Sequence, residues 1–266
     1  MSSVVDIPWP ILGLFFLTLS VPLSISRYYQ LNIGKDALIG VTRMTLQLAL
    51  VGVYLEYLFE LNSPLVNVLW LAVMILIGAS SIINKARLPR RPLMAVVTTS
   101  LIVGLTPVLL IITALVVRPT PFYHAQYLIP LAGMLLGNSL SGNIVALQHF
   151  YTAFEQRNSE YQAAISLGAP PSFATLPFVR EAIQKSVAPT LASMTTSGLV
   201  TLPGMMTGQI LGGASPIIAI KYQVMIMVAI FVMMTISITT TLRLNIAVNF
   251  SQSGQTRVKR IEPEQE

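Results

Sequence analysis

The chain has no cysteine, which excludes disulfides and thiolate metal sites. It also has little charge. Asp, Glu, Lys and Arg make up 10% of its 266 residues, whereas soluble domains carry about 25%. A deficit of that size means that much of the surface faces lipid. The two histidines, His124 and His149, lie far apart, and no H-E-x-x-H occurs. No G-x-x-x-x-G-K-[ST] occurs either, so if ATP drives this protein another chain binds it. No nucleophile–base pair stands out, which gives an intramembrane enzyme no support. There is no internal repeat of the kind that marks an inverted-repeat carrier. The net charge of +6 therefore reads as loop charge that sets orientation, not as a nucleic-acid surface.

What is present is apolar length. Hydrophobic residues are 54% of the chain and the mean hydropathy is +0.72. Apolar runs fall near 7–26, 38–60, 65–84, 93–117, 126–148, 187–211 and 216–242. Each is long enough to cross, and their continuity favours helices over an alternating barrel. The expected fold is an all-α integral membrane protein with about seven transmembrane helices. One domain covers 1–250, and 251–266 is a polar tail expected to be disordered. The N-terminus carries Asp6 and no cation, unlike a signal peptide, so the first run is expected to stay as a span. Cations cluster on alternate loops: Arg27, Lys35, Lys85, Arg87, Arg90, Arg91, Arg157, Arg180, Lys185, Arg243, Arg257, Lys259 and Arg260. Arg118 stands alone on the other side. The positive-inside rule then places the N-terminus outside and the C-terminus inside, in a cell (plasma) membrane.

One stretch breaks the apolar pattern. Residues 149–186 form a polar island between the fifth and sixth spans, too long for a turn. Within it, Glu160, Ala163, Ala164 and Gly168 share one helical face. Small alanines allow another surface to approach closely. Gly168 suits a left-handed stop, and Pro170-Pro171 prevents continuation. A second helix from about Pro171 to Lys185 then leads to the sixth span. A helix, a sharp turn and a second helix make a cytoplasmic hairpin shaped to enter a partner's groove. An interfacial amphipathic hairpin with no partner fits the same pattern.

The island resembles the coupling loop of ABC transporter permeases, in which Glu-Ala-Ala precedes a glycine by three residues. Here Tyr161-Gln162 separate Glu160 from the alanine pair. The runs Ile129-Pro-Leu-Ala-Gly-Met134, Gly137-Asn138, Ser166-Leu-Gly-Ala169, Thr201-Leu-Pro-Gly-Met-Met-Thr-Gly208 and Ala219-Ile-Lys-Tyr-Gln223 are similar to the FetB/UPF0014 permease family. That family includes bacterial iron-export permeases and plant half-transporters linked to aluminium tolerance. Arg43 and Gln47 also fit, and the resemblance covers roughly 35–240. It implies a permease homodimer in the lipid bilayer, working with two copies of an ABC ATPase subunit that binds ATP and Mg. It implies no cofactor on this chain, and iron or another metal as the exported substrate.

Several polar or broken positions are candidates for the pathway. Pro203, Gly204, Met205 and Met206 interrupt the sixth span, and irregular backbone at that depth is tolerated only where protein or water covers it. The two thioethers favour soft ions and are poor ligands for iron(II). A packing kink with core methionines fits equally. Arg43 and Gln47 sit one turn apart on the second span, and Lys221 lies a turn inside the seventh. Cations there would repel a bare metal ion unless they bind an anion, form a salt bridge or gate. Asn138 and Asn143 nearly share a face and either hydrogen-bond between helices or line the route. Glu56 and Glu60, at the outer end of the second span, could receive a cation in oxygen ligands or simply form an exposed acidic end. His124 is expected in an exposed loop and His149 at the inner interface. Two other classes stay open: an ATP-independent secondary carrier, with Glu56 as its acid, and a scaffold that recruits a cytoplasmic partner.

Overall fold

The computed structural model describes residues 6–31, 33–250, 256 and 258. The described residues are helical, with only isolated bridges between extended residues. The helices are α1 (Trp9–Phe15), α2 (Ser20–Tyr28), α3 (Gly34–Leu61), α4 (Pro64–Lys85), α5 (Arg90–Ile111), α6 (Ala125–Gln156), α7 (Asn158–Ser166), α8 (Pro171–Ala174), α9 (Leu176–Thr196), α10 (Gly204–Leu211) and α11 (Pro216–Asn249). A 3₁₀ turn joins α1 to α2, and a π-helical turn, Ile112–Val117, extends α5. Prolines open α1, α4, α8, α9 and α11, where a missing N–H costs nothing. Ser215 caps α11 by accepting from Ile218 N at 3.4 Å. Left-handed residues close other helices: Asn62, Arg118, Gly168 and Gly213.

Six helical stretches among the described residues are long and apolar enough to cross a membrane: Trp9–Tyr28, Gly34–Leu61, Pro64–Lys85, Arg90–Val117, Ala125–Gln156 and Pro216–Asn249. The expected seventh, 187–211, is not one continuous helix. It is α9, a break at 197–203, and α10. The direction of the chain shows what this pair does. Asn143 of α6 meets Ser237 of α11, and eight residues on Tyr151 meets Asn245, so α6 and α11 run parallel. The chain between them must therefore return along the bundle, and α9 with α10 makes that return. Parallel α4 follows the same logic, with Lys85 O accepting from Gln148 near its end and Met74 beside Gly133 one helix-length earlier.

The core is built around α11, which packs on α5, α6, α9 and α10. Two glycines permit this. A Cβ on Gly104 would lie 3.0 Å from Met233 O, and one on Gly142 would lie 2.7 Å from Met234 Sδ. Between α6 and α11, buried amides and hydroxyls join the apolar contacts that Met234 and Ile238 make beside Gly142. Asn143 Nδ2 donates to Ser237 Oγ at 3.0 Å, and Thr241 Oγ1 donates to Asn143 Oδ1 at 2.9 Å. Tyr151 donates to Asn245 Oδ1 at 2.9 Å, and Asn249 donates to the same oxygen at 2.8 Å. Such bonds hold helices together in lipid, where no hydrophobic force does so.

The first two spans are different. None of the most apolar window of α3 is buried. The helix is attached at its C-terminal end, where Leu58 packs with Ala125 and Ile129 and where Asn62 Oδ1 accepts from Ala125 N at 3.0 Å. The polar tail lies outside the described residues except for Thr256, which bridges Phe250, and Val258, which is buried in the core rather than loose.

Candidate functional site

The polar island folds as a knob at one end of the bundle. α6 runs on to Gln156, eight residues past the expected end of the fifth span, before Arg157 breaks the direction. α7 then ends in a Schellman-type turn: Ala169 N donates to Ala164 O at 3.0 Å, with Gly168 at φ +86°. Pro170-Pro171 start α8, a single turn, and Thr175 marks a bend before α9 continues into the bundle. Glu160, Ala163, Gly168 and Pro170 are exposed, and Ala164 is half-buried against the core. Leu167 is 89% exposed and Phe173 66% exposed. A groove of about 240 Å³ runs between α7 and the start of α9, lined by Glu160, Tyr161, Ala164, Phe173, Pro177 and Phe178. Apolar side chains on a water-facing turn, beside a groove, are what a docking surface needs.

An aromatic cluster fixes the knob to the bundle. Phe154 of α6 meets Tyr161 of α7 at 4.9 Å between ring centroids, Phe178 of α9 at 6.1 Å, and Phe250 at the end of α11 at 5.2 Å. All four rings are buried, and edge-to-face pairs add about 0.5–1.5 kcal/mol each beyond their area. Burial pushes the Tyr161 hydroxyl above its usual pKa, and that hydroxyl has no hydrogen-bond partner among the described residues. Arg157 clasps the same corner from outside. It pairs with Glu181 at 2.9 Å and Glu160 at 4.0 Å, and its guanidinium lies 4.8 Å from the Phe178 ring centroid. α7 therefore meets α6, α9 and the end of α11 at one buried corner.

Those three helices enclose a second feature. A groove of about 270 Å³ is lined by Asn138 and Ser141 of α6, Ser186, Thr190 and Ser193 of α9, and Met227 and Met234 of α11. Asn138 lies about 20 Å along α6 from Ala125, at a rise of 1.5 Å per residue, and so well inside a hydrocarbon layer of about 30 Å. Its side chain is exposed, donating only to Met134 O at 2.8 Å, within its own helix. Its polar atoms are amide and hydroxyl groups beside two thioethers, with no formal charge, and Val145, Pro189 and Ile230 make the rest of the lining apolar.

Residues 9–250 match a family described as an uncharacterised protein family, UPF0014. The chain belongs to that family. A UPF0014 membrane protein of Synechocystis is 32% identical over 225 residues, 85% of this chain and 87% of that protein. Protein ALUMINUM SENSITIVE 3 of Arabidopsis thaliana is 32% identical over 82% of this chain and 78% of its own length. The probable iron export permease protein FetB of Escherichia coli is 31% identical over 81% of this chain and 82% of its own length. No solved structure matches the chain. With its apolar helices, this UPF0014 protein is a multi-pass membrane protein.

The UPF0014 motifs occupy distinct places. Ser166–Ala169 is the turn of the knob. Thr201–Gly208 holds the break and the start of α10, where Met205 and Met206 are half-buried and Met205 packs on the core. Asn138 and Asn143 part company: five residues of helix turn them well apart, so Asn143 is fully buried in the α6–α11 network while Asn138 faces the groove. Arg43 and Gln47 are exposed on α3, away from that groove, and Lys221 is exposed near the start of α11. Glu56 and Glu60 are exposed near the end of α3, and no cluster of three or more metal-ligating residues exists among the described residues. His149 is exposed, whereas His124 is half-buried with Nδ1 lacking a partner and its ring against Tyr127. Ser141, Ser186, Thr190 and Ser193 escaped sequence reasoning. Their only signal was a spacing of three to four residues in α9, which brings the three hydroxyls of that helix to one face.

Proposed function

We propose that this UPF0014 protein is the permease subunit of an ABC transporter, exporting a metal, iron first among candidates, at the expense of ATP and Mg bound by a separate ATPase. Two copies of each chain form the working unit, in the plasma membrane, with the knob on the cytoplasmic side. The observation that carries this reading is the wiring. An exposed knob with apolar tips is locked by Phe154, Tyr161, Phe178 and Phe250 to the three helices that line a polar groove at membrane depth. ATP-driven closure of the ATPase pair moves α7 and α8. The rigid corner tilts α9, and the break at 197–203 lets α10 stay behind, so the groove changes the side to which it opens. The relative named as a probable iron export permease supports the direction and the metal. The groove's uncharged donors suit an ion that keeps much of its hydration shell, because neither carboxylate nor imidazole is there to replace it. The unpacked length of α3 supplies a face for the second copy.

The test is purification from native membranes in mild detergent, then reconstitution with whatever soluble subunit accompanies the chain. A near-stoichiometric P-loop ATPase and ATP-dependent metal movement are expected. Gly168→Trp should abolish both the ATPase association and the transport, and because its φ of +86° strains any side chain there, Ala163→Trp on the exposed face of α7 should do the same with the backbone unstrained. Recovery of the chain alone, even after cross-linking, overturns the reading in favour of a carrier. A retained partner with no transport would favour a scaffold.

A further inference from the structure

Apart from the polar groove, an apolar cavity of about 510 Å³ lies between α4 and α5. Val68, Leu71, Ile75, Ile102, Leu105 and Leu109 form its walls. It runs from Pro64 to Leu76 along α4 and from Thr98 to Thr113 along α5, about 20 Å at helical rise. That length is about two-thirds of a hydrocarbon layer of about 30 Å, so the slot is long enough to take an acyl chain entering from one leaflet. Phe122 and Tyr123 stand at its mouth, at the end of the bundle opposite the knob, where aromatic side chains mark a membrane–water interface.

One cation stands at the same mouth. Arg118 N donates to the carbonyl of Thr113, a wall residue, at 3.2 Å, and Arg118 lies four residues before Phe122. Its Nε donates to Leu115 O at 3.0 Å, which holds the side chain in place and commits only one of its five N–H donors. The side chain is exposed, and among the described residues no carboxylate pairs with it. A slot with apolar walls and a fixed guanidinium at its wet end matches one kind of molecule, which carries a long apolar chain and an anionic head.

We infer that the α4–α5 slot is a binding site for a single bilayer phospholipid, with one acyl chain between the helices and its phosphate on Arg118. The lipid fills a gap between two core spans, so it stabilises the bundle without touching the polar groove or the knob. Annular lipid exchanges freely, whereas this lipid is retained.

Native mass spectrometry of the full chain, stripped by repeated detergent exchange and then supplied with phosphatidylglycerol, tests this. One retained phospholipid per chain is expected. Ile102→Trp, at a wall position 45% exposed, should remove it by filling the slot. Arg118→Gln, at an exposed rim position, should weaken retention about five-fold, since one cation near a lipid surface contributes about 1 kcal/mol. Phosphatidylglycerol should also raise the melting temperature of the wild type more than that of Arg118→Gln. Equal retention in all three chains, or equal thermal shifts, overturns the site. So does a disulfide between Ile102→Cys and a cysteine placed on α3 of a second copy, which would show protein in the slot.

Discussion

α3 and α11 are both long apolar helices, 28 and 34 residues, yet one is bare and the other is the centre of the molecule. Apolar content does not separate them. α11 carries Ser237, Thr241, Asn245 and Asn249 at intervals of four, a fully buried stripe in which the first three hydrogen-bond to α6 and Asn249 to Asn245. The polar residues Arg43 and Gln47 of α3 share a face too, but that face meets no other helix. The glycines repeat the contrast. Gly104 and Gly142 press on α11, whereas nothing lies within 4 Å of a Cβ at Gly40 or Gly52 of α3. In lipid, small and hydrogen-bonding residues decide which helices touch, because tails solvate leucine as well as another helix does.

The contrast can be broken most severely at Gly104. Gly104→Ala forces a methyl against backbone, not a movable side chain, and should cost about 1–3 kcal/mol, read as a lower unfolding midpoint in a detergent titration. Asn143→Leu comes next: it strips Ser237 and Thr241 of their shared partner and should cost about 1–2 kcal/mol in the same assay. Gly52→Ala on α3 should do the opposite, raising stability by up to about 1 kcal/mol through helix propensity alone. A loss there instead would mean that a second copy packs closely on α3. The smallest effect is expected at Arg43→Gln, within about 0.5 kcal/mol for a side chain with no partner, and any larger shift would place that face in an interface.

Sequence reading reached the spans that are continuous helices and the left-handed Gly168, because apolar length and Gly-Pro punctuation are local signals. It ran 187–211 together as one span, since hydropathy stays high through Leu199, Val200 and Leu202 while Gly198 and Pro203 break the backbone. The aromatic corner was invisible, because Phe154, Tyr161, Phe178 and Phe250 are spread over nearly a hundred residues and meet only in the fold. The hydroxyls of the polar groove were hidden for another reason. Serine and threonine in a span usually satisfy themselves on the preceding turn, as Ser186 does on Ala182 O at 2.6 Å, so their sequence says nothing about which way they face.

The parallel register of α6 and α11 has a mechanical consequence. α11 is bonded to α6 at Asn143 and again at Tyr151, and it is pinched by Gly104 of α5 from another side. A rod held at two heights and from two directions can neither roll nor slide without breaking buried bonds. α11 is the stator of this bundle. The broken return stroke, α9 and α10, is held to it by fewer bonds and carries its own joint at 197–203, and on the proposed transport reading it is the part that moves.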